Sequence, residues 1–375
     1  MRQQIISGRR GRRRGFLAVA LAGLMVSAAS LAAPAGAWPP DLTPRQLAGQ
    51  RVIYSYKGLT PPQSLFDAIR EGRAAGVIFF GENISGTDQI AGVVAQLREA
   101  QAQSPIHQPL LLMTDQEGGR VRRLPGEPVL SAKKVGESAD PVGAAVDAGT
   151  GAGRNLRSVG MNVNLAPVLD VFDTAGNFID RTERSFSDNP GLVAALGSAF
   201  IAAQQATGVA ATAKHFPGLG SAPAGQNTDL GPVVLPVSSD KLHTVDELPY
   251  PAATTVGVKM VMLSWAVYPA IDPDRPAGLS PTIVNQELRD RNGFRGVTIT
   301  DALEAGSLDA FGTTGQRAVA AAAAGVDLIL CSARDINQGD DAATALADAY
   351  TNGTLDRTAF TDAVDRITDL RAGLP

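Results

Sequence analysis

The sequence has few cysteines, histidines and aromatic residues, and each shortage excludes a class of protein. Its 375 residues include one cysteine, Cys331, so no internal disulfide can form and stability must come from the hydrophobic core. The histidines are His107, His215 and His243, and none has the spacing of a metal ligand, so we predict no metal site and no cofactor. Aromatic residues make up only 5% of the chain, which argues against a nucleic-acid partner bound by base stacking.

Two sequence motifs of other enzyme classes are also missing. The pattern G-x-S-x-G, in which a serine esterase presents its nucleophile, does not occur. Gly218-Leu219-Gly220 follows a predicted strand, as a dinucleotide-binding turn would, but Pro223 stands where the third glycine belongs. We therefore predict neither a serine esterase nor a dinucleotide-dependent enzyme.

Positive charge is concentrated at the N-terminus. Residues 1–37 carry six arginines and no acidic residue, and the rest of the chain has 27 basic against 37 acidic residues, a net charge of −10. No basic surface therefore remains to bind nucleic acid or an anionic membrane. The basic segment ends at Arg14, an apolar run follows, and Ala35-Gly36-Ala37 offers the small residues that signal peptidase needs before Trp38. We predict a signal peptide over residues 1–37, cleaved near Ala37.

The predicted signal has twin-arginine character, because Arg13-Arg14 lies just before the apolar run. An uncleaved membrane anchor is the alternative. However, the run from Phe16 to Leu31 is shorter than the roughly 20 residues that a membrane span needs. We therefore predict a secreted, extracytoplasmic protein without stable membrane insertion.

Short apolar runs alternate with Ala-rich stretches of helical pattern, such as QLREAQAQ, GSAFIAAQQATG and QRAVAAAAAG. Each apolar run is nearly continuous, as expected of parallel strands buried on both faces. Eight such units predict an α/β fold, a single-domain (β/α)8 TIM-type barrel over residues 38–375, and a doubly wound open sheet is the alternative. The predicted strands are 51–56, 76–81, 110–116, 162–168, 209–216, 258–265, 296–302 and 325–331.

Polar and charged residues recur where the predicted strands end. The active sites of such barrels lie at the C-terminal ends of the strands, so these residues predict a polar mouth on an apolar barrel. The residues at these ends are Asp115, Asp170, Asp173, Lys214, His215, Ser264, Trp265, Asp301 and Cys331.

Each candidate also has an ordinary structural interpretation. Asp301, at the end of TITD, is well placed to attack an anomeric carbon, but it could equally cap a helix or form an ion pair. Lys214 and His215 could donate hydrogen bonds to sugar hydroxyls or be purely structural. The acids of DQEGGR, which begins at Asp115, could pair internally with an arginine. Arg184 could bind a carboxylate or sugar hydroxyls, or only bridge loops.

Seven segments, in order along almost the whole predicted mature chain, resemble the single-domain β-N-acetylhexosaminidases of glycoside hydrolase family 3. They are DQEGGRVRRL, NVNLAPVLDV, RSFSDNP, KHFPG, VMLSWAVYPAID, GLSPTIVNQELRDRNGFRGVTITDAL and AAGVDLILC. The resemblance implies that Asp301 is the nucleophile of a retaining glycosidase and that the barrel mouth holds one terminal sugar. It further implies that the residues that bind and shape that sugar's pocket are Asp115, Arg123, Arg184, Lys214 and His215.

The sequence departs from the family pattern at the proton donor. Family members follow KHFPG with His-Gly and later carry Asp-Ser-His, whose histidine is the acid/base. Here Leu219 replaces the first histidine, and Asp229-Leu230-Gly231 stands where Asp-Ser-His would be. Trp265 likewise stands where family members usually have histidine. Three outcomes stay open: Asp229 is the acid/base, His243 is recruited, or hydrolysis is lost.

We therefore expect an exported retaining hydrolase that removes terminal β-linked N-acetylglucosamine from cell-wall or chitin-type fragments. Asp301 would be its nucleophile and Asp229 its acid/base. The alternative is a glycan-binding protein of the same fold that no longer hydrolyses its ligand.

Overall fold

In the computed structural model, which describes residues 42–375, eight parallel strands form the wall of a barrel. Strand order around the wall follows the chain from β1 to β7, and β8 lies beside β1. Backbone hydrogen bonds of 2.9 and 3.0 Å join Leu328 to Thr298 and Thr300, and these bonds close the ring between β7 and β8. The strands are β1 (Val52–Tyr54), β2 (Gly76–Ile78), β3 (Leu111–Thr114), β4 (Val163–Asn164), β5 (Ala210–Phe216), β6 (Met260–Leu263), β7 (Val297–Thr300) and β8 (Ile329–Leu330).

The predicted (β/α)8 barrel is confirmed, and the alternative of an open doubly wound sheet is wrong. Each observed strand lies inside its predicted run but is shorter. One reason is that side chains replace part of the backbone ladder. Asn162 accepts from the Leu112 amide at 2.9 Å and donates to the Leu110 carbonyl at 2.9 Å, next to the point where β4 begins.

Helices and short irregular segments connect the strands. The predicted helical stretches all overlap observed helices, and Gly325, in the left-handed conformation with φ +101°, ends one of them. The α-helices are Pro44–Gly49, Gln63–Arg70, Thr87–Ala102, Ala132–Gly136, Pro141–Ser158, Phe178–Arg181, Pro190–Gln205, Ser239–Lys241, Pro249–Thr255, Thr314–Ala324, Ile336–Asn352 and Arg357–Ala372. The tighter 3₁₀ turns are Gly81–Asn83, Ala277–Leu279 and Gly306–Phe311, and the wider π-type segments are Leu242–Asp246 and Thr282–Arg291.

Two short antiparallel ribbons lie outside the barrel wall. One pairs Gln116–Gly118 with Val121–Arg122, directly after β3. The other pairs Val267–Tyr268 with Asp272–Pro276, after β6. Both ribbons therefore extend the C-terminal end of the barrel, where the polar residues of the strand ends lie.

The core has two layers because successive residues of a strand face opposite sides. In β6, Met260 and Met262 belong to the cluster inside the barrel, whereas Val261 and Leu263 pack against the surrounding helices. The helix Arg357–Ala372 adds Ile367 and Leu370 to the inner cluster. That helix covers the N-terminal ends of the strands, so the opposite end is left for the site.

The predicted signal peptide and its membrane-anchor alternative lie outside the described residues. Among residues 42–375, no helix combines the length and the apolar character that crossing a membrane requires.

We expect Asn162→Ala to lower the free energy of unfolding by about 2–4 kcal/mol, because the substitution strips the partners from two buried backbone groups of the β3 segment. Urea unfolding followed by circular dichroism measures this change. Asn337→Ala, at an exposed position, is the matched control and should change stability by about 0.5 kcal/mol or less. Equal effects of the two substitutions would contradict the assigned role of Asn162.

Candidate active site

A cavity of about 200 Å³ opens at the C-terminal end of the barrel, and we refer to it as the mouth cavity. Its floor is apolar and consists of Ile78, Leu165, Met262 and Leu330. These residues come from β2, β6 and β8 and from the position that follows β4. In a closed barrel, alternate strands fill one interior layer, so the floor of the cavity is the uppermost layer of the core.

The polar wall of the mouth cavity includes most of the predicted site residues. Lys214 and His215 are not on the surface of the cavity but are buried behind it, at 2% and 5% exposure. The predicted residues that line the cavity are Asp115, Arg123, Arg184, Asp229 and Asp301.

Four charged side chains alternate in sign behind and along this wall. The Lys214 Nζ atom lies 2.7 Å from Asp115 Oδ1 and 2.7 Å from Glu117 Oε1. Arg184 binds Glu117 through two hydrogen bonds of 2.9 and 2.8 Å. One interpretation of the sequence was that an acid of this loop pairs with an arginine inside the loop. The arginine that binds Glu117 is instead Arg184, 67 positions away.

Burial and the charges of neighbouring groups shift the pKa values of Glu117 and Lys214 in opposite directions. Burial alone would raise the pKa of Glu117, but the charges of Arg184 and Lys214 and their hydrogen bonds hold it well below its usual value. Burial alone would lower the pKa of Lys214, but Asp115 and Glu117 raise it instead. Glu117 and Lys214 therefore stay ionised and keep the wall rigid, and Glu117 cannot supply a proton near neutral pH.

Asp170, fully buried after β4, holds His215 in place. Its Oδ2 atom lies 2.7 Å from His215 Nδ1, and its Oδ1 atom accepts from the backbone amides of His215 and Leu219 at 3.2 and 2.7 Å. The carboxylate makes Nδ1 the donor, and this contact directs Nε2 toward Arg184 Nη2 at 3.4 Å. The sequence predicted that Asp170 lies at a strand end but not that it binds His215.

Asp301 ends β7 and is half-buried at the mouth cavity. Its Oδ1 atom accepts from the Ala302 amide at 2.8 Å, and no helix N-terminus follows until after Ala305. Burial raises the pKa of Asp301, His215 opposes this shift, and the charge of Asp229 adds to it. The helix-cap interpretation of Asp301 is therefore wrong, and its carboxylate faces the cavity.

The loop that carries Asp229 is docked beside Asp301. The carbonyls of Thr228 and Asp229 accept from the amides of Ser307 and Gly306 at 3.1 and 2.9 Å, just beyond the end of β7. The Asp229 side chain is exposed at the rim of the cavity, and Leu230 is 83% exposed. The structure thus brings Asp229 to Asp301 but leaves it in water.

Two residues of the altered family pattern have other roles. His243 lies 3.1 Å from Glu287 and is not part of the mouth cavity, so the structure does not support its recruitment as the acid/base. Trp265 is fully buried and its Nε1–H donates to the Ala302 carbonyl at 2.8 Å. Trp265 therefore positions the backbone directly after the candidate nucleophile.

Arg123 keeps an unused donor at the site. Its guanidinium lines the mouth cavity, and among residues 42–375 its buried Nε atom has no hydrogen-bond partner. The ribbon after β3 places it, because Gln116 holds both backbone groups of Leu124 at 2.9 and 3.0 Å.

A second hollow of about 420 Å³, which we call the outer recess, continues from the mouth cavity. The two share Arg123 and Asp229. The outer recess adds the charged side chains Glu82, Glu304 and Arg334, and the Arg334 guanidinium lies 4.3 Å from the centre of the Phe80 ring. The sequence did not predict this recess because its residues come from five separate loops.

Comparison with known proteins agrees with this geometry. The family model described as "Glycosyl hydrolase family 3 N terminal domain" matches residues 46–370. A protein of Arthroderma benhamiae named "Uncharacterized secreted glycosyl hydrolase" is 46% identical over 353 residues, which cover 94% of this chain and 98% of that protein. A protein of Xylella fastidiosa named "Beta-hexosaminidase" is 33% identical over 309 residues, which cover 80% of this chain and 88% of that protein.

A solved structure shows the same fold. The glycoside hydrolase family 3 β-N-acetylglucosaminidase from Paenibacillus sp. str. FPU-7 superposes with a TM-score of 0.83 at 34% sequence identity. The match covers 89% of this chain but only 63% of the Paenibacillus chain. This chain therefore spans less than two thirds of that relative.

We expect Glu117→Gln to lower the free energy of unfolding by about 3–5 kcal/mol at pH 7, because Lys214 and Arg184 lose their shared buried counter-charge. Ionised Glu117 stabilises the fold above the pKa of an unfolded glutamate, about 4.3, and this contribution is lost as pH falls toward its lower folded pKa. The difference between wild type and variant should therefore shrink below about pH 4. Urea unfolding at several pH values measures it.

Glu137→Gln is the control, since Glu137 forms an exposed ion pair with Lys134. That substitution should cost about 0–1 kcal/mol. A pH-independent difference between wild type and Glu117→Gln would contradict the role given to the buried carboxylate.

Proposed function

Because the chain belongs to glycosyl hydrolase family 3, we propose that it is a retaining glycoside hydrolase that removes terminal β-linked N-acetylglucosamine from cell-wall or chitin-type fragments. The observation that carries this proposal is the Asp301 carboxylate, which faces a cavity walled by ion-paired polar groups. The name of the Paenibacillus relative supports N-acetylglucosamine as the sugar, and the name of the Xylella relative supports a hexosamine.

Asp301 is the nucleophile in this proposal. Its carboxylate attacks the anomeric carbon, the bond to the leaving-group oxygen breaks, and a covalent glycosyl-enzyme forms. Water then cleaves this ester, so two inversions leave the configuration retained. Only the ionised carboxylate attacks, and the raised pKa of Asp301 places the acid limb of kcat/KM above the ordinary aspartate value of 3.8.

The sugar would be held by the groups with spare hydrogen-bonding capacity. Asp115 offers carboxylate oxygens that accept from hydroxyls, and Arg123 lines the cavity with a side chain that carries hydrogen-bond donors. Arg184 reaches the cavity while its Glu117 partner fixes its orientation. Lys214 and His215 lie behind this wall, so their main contribution is to position Asp115 and Arg184.

Asp229 is the proposed acid/base. It shares the mouth cavity with Asp301 and also borders the outer recess, where the leaving group would lie. In the two-carboxyl mechanism of retaining glycosidases, one carboxyl group attacks the sugar and the other donates and then accepts the proton. A glycan in the outer recess would cover Asp229 and bring its leaving-group oxygen to that carboxyl group.

The outer recess fits a polar leaving group. Glu82, Glu304 and Arg334 supply acceptors and a donor for hydroxyl groups, and Phe80 supplies an aromatic ring. These chemistries match a second sugar or a short glycan in that place.

Export is part of the proposal. The predicted signal peptide over residues 1–37 and the name of the Arthroderma relative, which describes that protein as secreted, both support it.

A second candidate function is glycan binding without turnover. Leu219 and Gly231 occupy the positions where the family pattern has histidines. Asp229, the carboxylate proposed in place of the acid/base histidine, is exposed. General acid–base help contributes about 10²–10⁴-fold to rate, so its loss would leave binding intact and hydrolysis slow.

We expect Asp301→Asn to abolish turnover of 2,4-dinitrophenyl N-acetyl-β-glucosaminide, because the amide cannot form the glycosyl-enzyme. The leaving group departs without a proton, so glycosyl-enzyme formation by wild type should not depend on the strength of the acid. Release of dinitrophenolate measures the rate. Absence of turnover by wild type, with binding of N-acetylglucosamine by calorimetry, would favour the glycan-binding function instead.

We expect Asp229→Asn to reduce kcat/KM for the β-linked disaccharide of N-acetylglucosamine by about 10²–10⁴-fold. The dinitrophenyl substrate should lose less than about tenfold in kcat/KM, since glycosyl-enzyme formation needs no proton from the protein with that leaving group. Asp309→Asn, at an exposed carboxylate beyond the cavity, is the matched control and should match wild type on both substrates. Equal losses on the two substrates would refute Asp229 as the acid.

A further inference from the structure

A second group of chemically versatile side chains lies outside the mouth cavity. His243 belongs to the π-type segment Leu242–Asp246, Glu247 follows it, and Glu287 belongs to Thr282–Arg291. One ring nitrogen of His243 and one carboxylate oxygen from each glutamate lie within 4.8 Å of one another. Sequence analysis compared only the spacings of histidines and cysteines, and so it missed this group.

Glu247 is the unusual member of the group. Its side chain is 2% exposed, and among residues 42–375 its buried Oε1 atom has no hydrogen-bond partner. Its Oε2 atom accepts from Asn292 Nδ2 at 2.8 Å. A buried carboxylate with an unpaired oxygen costs free energy unless a cation compensates it.

The nearest positive charge does not meet this need. Arg291 Nε lies 3.9 Å from Glu247 Oε2 and 3.7 Å from Glu287 Oε2, beyond hydrogen-bond distance, and the Arg291 side chain is half exposed. The Nε2 atom of His243 lies 3.1 Å from Glu287 Oε2, so the histidine pairs with Glu287 and not with Glu247. Among the residues that the structure describes, Glu247 therefore has no cation within hydrogen-bond distance, and its Oε1 atom stays available to one.

The backbone at both glutamates is wound more widely than an α-helix. The Glu247 amide donates to the Leu242 carbonyl, five residues back, at 2.8 Å, and the Asn292 amide donates to the Glu287 carbonyl at 3.0 Å. Such π-type turns are rare and occur often at functional sites. Here they occur in both segments that contribute to the same group.

We propose that His243, Glu247 and Glu287 bind one divalent transition-metal ion of the zinc type. One imidazole nitrogen and two carboxylate oxygens form a ligand set that suits Zn²⁺, whereas Mg²⁺ and Ca²⁺ prefer oxygen alone. The ion balances the two carboxylates, and Asn292 orients Glu247 from behind as outer partners do in metal sites. Since His243 and Glu287 are 21% and 15% exposed, solvent supplies an entry path and a fourth ligand.

The position of the site indicates a structural ion. The residue before Glu247, Asp246, packs against Gly218 in the turn after β5, where an added Cβ would meet Asp246 at 2.9 Å. The segment Thr282–Arg291 leads into β7, which ends at Asp301. A bound ion would therefore join two segments that each support one side of the mouth cavity.

The test uses purified protein freed of metal with a chelator and then titrated with ZnCl₂. We expect calorimetry to show one bound ion per chain and saturating Zn²⁺ to raise Tm by about 3 °C or more. Glu247→Gln, which keeps the side-chain shape, and His243→Ala should each weaken Zn²⁺ binding at least tenfold. His107→Ala, at an exposed histidine elsewhere, is the control and should bind as wild type does.

Two results would overturn the proposal. One is the absence of stoichiometric Zn²⁺ binding by wild type. The other is undiminished binding by both Glu247→Gln and His243→Ala with native circular dichroism, which would place the ion at another site. Neither readout depends on catalytic activity, so failure of the hydrolase proposal leaves this test intact.

Discussion

Closure of the barrel decides where polar chemistry can lie. An interior layer of a closed eight-stranded barrel has room for four side chains, taken from alternate strands. The even-numbered strands supply the apolar layer under the mouth cavity, and three of the charged groups of the site come from the odd-numbered strands. Asp115 follows β3, Lys214 lies in β5 and Asp301 follows β7. The site is thus built directly on the last layer of the core.

Burial and neighbouring charges shift the pKa values of two carboxyl groups at the site in opposite directions. Glu117 lies between two cations, so its pKa is low and it serves as a fixed anchor. Asp301 is half-buried and has no ion-pair partner among the described residues, so partial burial and the nearby charge of Asp229 raise its pKa. Environments that push pKa values apart are how one site assigns different tasks to the same functional group. In the proposed reaction, Glu117 keeps the binding wall in place and the carboxylate of Asp301 attacks the substrate.

The sequence predicted what local patterns determine. Continuous apolar runs identified all eight strands, and the ends of those runs identified Lys214 and Asp301. What the sequence could not predict depends on pairs far apart in the chain. Lys214 meets Asp115 across 99 positions, and no local pattern selects that partner. The shortening of β4 by the Asn162 side chain has the same origin, because an asparagine in an apolar run does not reveal which backbone it will bind.

The turn after β5 explains why the change at Leu219 need not disturb the fold. The Leu219 amide donates to Asp170 at 2.7 Å, and this contact is made by the backbone, so it does not require a particular side chain. The side chain itself is 3% exposed and adds apolar surface to the mouth cavity. Replacing a histidine by leucine here removes a polar group but keeps the bond that orients His215. In the proposed function, sugar binding and nucleophilic attack therefore depend on the rigid barrel, whereas proton transfer depends on the exposed loop that carries Asp229.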